Sequence, residues 1–181
     1  MAAIESVIQG SEKLTRISGC WPSFHDAEII ELHLWRGDVD AERQRYVFPV
    51  LTVKLHHWEL TREIDRQGFL VTKHHTVTTL RFHNLEEGLK LDDFNHQNVI
   101  FELIITQKQR DDGPSPYFDV QFVSSFGMAA HFRCFQIEVL DAVPHAKEGD
   151  PDVQPSAAQS NNPTLPLGNS GGTEDPSPVV L

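Results

Sequence analysis

Along most of the first 140 positions apolar residues alternate with polar ones, and the period is two. Residues 27–35 set Ile30, Leu32 and Leu34 on one side and Glu31 and His33 on the other, the pattern of a half-buried strand. Residues 46–58 repeat it, with Pro49, Leu51, Val53 and Leu55 against Thr52 and Lys54. Pro49 has no N–H to give a ladder, so it marks a strand start or an edge. Residues 69–83 are rich in valine and threonine, which favours a third strand, joined to the second as a hairpin around 63–68. Residues 99–106, 117–124 and 130–140 complete six strands. In the first of these Val99, Phe101, Leu103 and Ile105 share the core phase, with Ile104 behind. In the last, Phe132 falls out of phase with Phe135, Ile137 and Val139, which a bulge would reconcile. Residues 36–40 read as a turn and 84–97 as a polar connector.

A helical period occurs only at the start. Ile4, Val7 and Ile8 predict a short helix over 3–9, stopped by Gly10, and a second turn after Ser11 carries Leu14 and Ile17. The links between strands are too short for repeated βαβ crossovers. The expected fold is therefore α+β and mostly β. It comprises about six strands in an antiparallel-dominated curved sheet or sandwich, with one or two short N-terminal helices.

Composition changes this picture at one place. From Pro144 to Leu181 there is no Phe, Trp or Tyr, but seven of the 11 prolines and four of the 11 glycines. Such a segment buries too little apolar area to offset chain entropy. The chain thus divides into a β-rich domain, 1–143, and a disordered acidic tail, 144–181. The tail holds one lysine against five carboxylates, −4, which leaves −7 of the net −11 to the domain. An acidic domain excludes a nucleic-acid backbone binder and suits a basic partner. The start of the chain lacks the basic and apolar regions of a signal peptide, and no apolar run reaches membrane-spanning length. Cys20 and Cys134 are expected as reduced thiols in a cytoplasmic protein.

The densest chemistry lies in Trp21-Pro22-Ser23-Phe24-His25-Asp26-Ala27-Glu28, just ahead of the first strand. Pro22 fixes its own φ and holds Trp21 extended, and Trp21 and Phe24 are large enough to anchor the segment by burial. On one reading His25 and Asp26 merely hydrogen-bond to a loop backbone. On the other, His25, Asp26 and Glu28 form a surface constellation for a partner's basic group or a metal, although no third metal ligand follows from His-x-x-Glu spacing alone. A second set comes from the hairpin. A turn centred near Asp65–Arg66 would place His57 opposite His74 and His56 opposite His75, one pair on each face. There is no glycine-rich phosphate loop, paired-cysteine zinc pattern or G-x-S-x-G elbow, so the chain does not read as an enzyme and implies no cofactor.

The run Ser18 to Ile29, S-G-C-W-P-S-F-H-D-A-E-I, resembles the signature of the immunity protein 50 family of bacterial polymorphic toxin systems. Gly19, Trp21, Pro22, Ser23, Phe24, His25, Asp26 and Glu28 match its G-x-W-P-S-F-H-D-[AS]-E pattern. Phe94 to Ile100 and the strand holding Cys134-Phe135 are similar to such proteins too, so the resemblance spans roughly residues 4–140. It implies a small α+β or β protein that binds and neutralises a cognate toxin in the cytoplasm of the producing cell. The acidic charge and the lack of a spanning apolar run add the expectation of no contact with nucleic acid or membrane. The competing expectation is a metal- or ligand-binding protein that uses His25, Asp26, Glu28 and the strand histidines.

Overall fold

The computed structural model of the chain describes residues 3–145 apart from Glu87 and Asp112. After a 3₁₀ turn, Ile4–Val7, comes one short helix, α1 (Glu12–Ser18). Ten strands follow: β1 (Glu28–Trp35), β2 (Asp38–Asp40), β3 (Arg45–Val47), β4 (Val50–Ile64), β5 (Leu70–His83), β6 (Lys90–Asp92), β7 (Val99–Lys108), β8 (Tyr117–Phe126), β9 (Ala129–Cys134) and β10 (Gln136–Pro144). Eight form one sheet in the order β10-β5-β4-β1-β7-β8-β9-β6, and β2 and β3 make a separate two-stranded ribbon. Every pairing between named strands is antiparallel.

The expected mostly-β, antiparallel architecture is present, but the sheet has eight strands rather than about six. The phase break in 130–140 is not a bulge in one strand. It is a change of partner: β9 pairs with β8, whereas β10, one residue later, pairs with β5. The connector 84–97 contributes β6, and the turn at 36–40 is part of the β2–β3 ribbon.

The β4–β5 hairpin carries the densest ladder. Its register sets Leu51 opposite Phe82, Val53 opposite Leu80 and His57 opposite Thr76, two residues away from the expected pairing. Because the side-chain period is two, a slip of two keeps every residue on its face. Leu51, Val53, Leu55, Leu80 and Phe82 are accordingly all buried. The sheet folds back so that Phe82 on β5 meets Phe122 on β8 and Phe132 on β9 edge-on, at 6.0 and 5.0 Å. Burial of such side chains, roughly 1.5–3 kcal/mol each, is what joins the two halves, β10-β5-β4-β1 and β7-β8-β9-β6.

At the join between β1 and β7 the ladder is minimal: the strands pair only at Glu28–Val99. Two phase expectations fail beside it. Irregular register between Ile29 and Glu31 and between Val99 and Glu102 turns Ile29 and Ile100 inward, and leaves Ile30 and Phe101 exposed.

The N-terminal segment covers the outer edge of β10. Gln9 accepts from the Val139 N–H at 2.8 Å and donates to the Ile137 carbonyl at 3.0 Å. Lys13 Nζ donates to the carbonyls of Val139 (2.9 Å) and Leu140 (3.0 Å). α1 ends at Gly19 in the left-handed region, φ 76°, whose N–H donates to the Thr15 carbonyl, a glycine stop of the usual kind. The expected tail lies outside the described residues except for Pro144, which closes β10, and His145, whose N–H donates to the His75 carbonyl at 2.7 Å.

Candidate functional site

The eight-residue motif lies along the start of β7, and two left-handed residues divide its roles. Phe24 has φ 55° and Asp26 φ 61°, a region that an aromatic residue seldom occupies and that costs of order 1–3 kcal/mol. The surroundings hold that geometry. The Asp26 N–H donates to the Ile100 carbonyl (3.0 Å), the Ile100 N–H to the Ala27 carbonyl (2.9 Å), and the Ile29 N–H to the Asn98 carbonyl (2.8 Å). Phe24 turns into the core at 2% exposure, edge-on to His57 at 5.0 Å and to Trp21 at 5.6 Å. Ala27 is fully buried beside it. This half of the motif anchors.

The other half is presented. Trp21, Pro22, Ser23 and His25 form one wall of an open groove of about 600 Å³; Phe101 to Ile105 of β7 form the other, with Ile4 also contributing. His25 is exposed, its Nδ1 2.9 Å from Asp26 Oδ2, and its ring stands edge-on to Phe101 at 4.9 Å. Phe101 is 51% exposed. Ser23 Oγ accepts from the His25 N–H at 3.3 Å. Among the described residues that line the groove Glu102 is the one acidic side chain, and there is no lysine or arginine.

Glu28 does not join His25 and Asp26. It opens β1 opposite His56 and acts on that imidazole instead. His56 Nε2 lies 3.2 Å from His75 Nδ1, and the His145 ring is 4.9 Å away. Trp58 stacks on His75 at 5.6 Å. Burial and then the nearby His145 push the His56 pKa down, against the pull of Glu28. Of the two expected histidine pairs, His56–His75 is therefore in contact, although across a shifted register. His57 and His74 part. His57 is buried, hydrogen-bonded to Thr78 Oγ1 at 2.9 Å, and burial followed by the charge of His56 lowers its pKa to about 4. His74, at φ 52°, pairs with Glu59 at 3.0 Å. Among the described residues no group of three or more His, Cys, Asp or Glu side chains is placed to hold a metal ion.

Sequence reading missed Asn98. It is 3% exposed; its Oδ1 accepts from the N–H groups of Asn95 (2.9 Å) and Met128 (3.2 Å), and its Nδ2 donates to the Asn95 carbonyl at 2.7 Å. It thereby pins the loop against which the motif closes. The asparagine-rich run Asn95–Asn98 was the available signal, since such side chains satisfy loop backbone. The two cysteines are free, Cys20 exposed and Cys134 buried.

No helix among the described residues is long and apolar enough to cross a membrane. Searches of family models, curated proteins and solved structures return no match to the chain.

Proposed function

We propose that the chain is a stoichiometric protein-binding inhibitor of the immunity kind, acting in the cytoplasm of the cell that makes it on a cognate, basic toxin. The observation that carries this reading is the division of the motif. Four of its residues sit on an open groove beside an exposed phenylalanine, where an aromatic anchor and a polar rim suit a protein partner. A net charge of −11 speeds association with a basic target. Family resemblance of the motif supplies the partner class. The test is co-expression with the product of an adjacent toxin-like gene and purification through a tag on either protein. A one-to-one complex with loss of toxicity is expected; separate elution of the two and unrelieved toxicity would remove the reading.

The second reading, a metal or small-ligand binder, has the His56–His75–His145 contact in its favour. Of the motif's three polar candidates it would recruit Glu28 alone, since His25 lines the groove and Asp26 is paired with it. Metal content of untagged protein discriminates: zinc or another divalent ion at one equivalent would support it.

A further inference from the structure

We infer that the groove takes an extended, basic segment of the partner protein, which adds to the free edge of β7 as a further strand. This rests on the protein-binding reading above and specifies how the partner is held.

The edge is free because of the motif. An antiparallel continuation of the Glu28–Val99 pair would carry the chain before β1 along β7, so residues 20–26 are the natural neighbours of Phe101 onward. They keep to that course only as far as Asp26 N–H and Ile100. The left-handed turns at Asp26 and Phe24 then lift the chain off the edge, and Pro22 has no N–H to donate. Beyond Ile100 β7 has a ladder with β8 on one side, through Lys108, and among the described residues none with a strand on the other. The groove touches five consecutive residues of β7, Phe101 to Ile105. Side chains of a strand alternate between faces, so a surface that meets five in a row is running along the backbone edge.

Edges of this kind are usually guarded by lysine, proline or a covering segment. β10 has such a cover in Gln9 and Lys13. The run Leu103-Ile104-Ile105-Thr106 has no charge and no proline. The turn Ile4–Val7 lies near β7, but among the described residues no backbone hydrogen bond from it reaches this run, so the N–H and C=O groups that face away from β8 suit strand addition. Specificity would come from the wall opposite, where Trp21 and His25 leave room for alternate side chains. Charge selects the occupant: Glu102 lines the groove and no lysine or arginine is among the described residues that line it, in a chain of net −11, so basic residues on the incoming strand are favoured.

The experiment uses the full chain and a synthetic probe, the capped peptide Lys-Val-Lys-Val-Lys-Val-Lys, with two derivatives N-methylated on alternate amides in opposite phases. Isotherms and amide hydrogen exchange are read together. Expected are saturable binding, slower exchange within residues 101–108, at least tenfold weaker binding for one methylated phase with little change for the other, and at least tenfold weaker binding for a peptide with Glu for Lys. Equal binding of both methylated phases, no binding of the parent, or protection on another strand would each overturn the inference. So would a dimer without peptide in which β7 is already protected, since the occupant would then be a second copy. The outcomes separate from those of the protein-binding reading. A toxin complex that leaves β7 unprotected sinks strand addition alone, whereas phase-dependent peptide binding without any toxin complex sinks the inhibitor reading alone.

Discussion

At the scale of single residues, the motif holds two neighbours with opposite duties. Phe24 is buried and His25 is exposed, so their replacements should separate stability from binding. Phe24→Ala removes a buried aromatic and is expected to cost about 3–5 kcal/mol, read from the urea midpoint. His25→Ala loses an exposed pairing with Asp26, worth about 1 kcal/mol at most, and an edge contact with the exposed Phe101, and should leave that midpoint nearly unmoved. His57 gives a pH signature. Its folded pKa is lowered to about 4 from the ordinary histidine value of 6.5, so between those values the unfolded chain binds the extra proton and stability falls as pH falls. The full effect is on the order of 3 kcal/mol. His57→Gln should flatten the pH dependence of the urea midpoint across that window, and an unchanged slope would place the titration elsewhere. The thiols differ too. Burial pushes Cys134 up to about 12, so a thiol reagent should label Cys20 in the native protein and reach Cys134 only on unfolding.

At the scale of elements, the N-terminal cover on β10 depends on Gly10. It has φ 68°, and a Cβ there would stand 2.6 Å from the Val139 carbonyl oxygen. Gly10→Ala should cost of order 1–3 kcal/mol and speed exchange of the Val139 amide, whose acceptor is Gln9. The hairpin shows what alternation could and could not tell. It located β4 and β5 and their inward faces, because Leu51, Val53 and Leu80 repeat with period two. It missed the register, because pairings two residues apart satisfy the same faces. A phase break such as the one at Phe135 reads alike whether the chain bulges or changes partner, and only the tertiary fold shows that β9 and β10 lie in different halves. The motif itself was conspicuous as a string. Its division into anchor and presented wall was not, since nothing in Trp-Pro-Ser-Phe-His-Asp announces left-handed geometry at a phenylalanine.

At the scale of the whole molecule, two four-stranded halves meet through the Phe82–Phe122–Phe132 cluster and diverge at β1 and β7. The divergence makes the groove, and on the proposed reading the net charge of −11 selects what approaches it. Association with a basic partner should slow by about tenfold or more from low to high ionic strength, with dissociation little changed; a rate independent of salt would argue that charge plays no part in recognition. The central claim is that the presented half of the motif binds while the buried half only supports it. It is tested most directly by the dissociation constant of the complex formed by a His25→Ala, Phe101→Ala double variant with the co-purified neighbour protein, measured beside its melting temperature. The account predicts binding weaker by at least about tenfold, from loss of more than 1.4 kcal/mol, at a melting temperature within a few degrees of the parent chain. Undiminished affinity in a normally folded variant would contradict it.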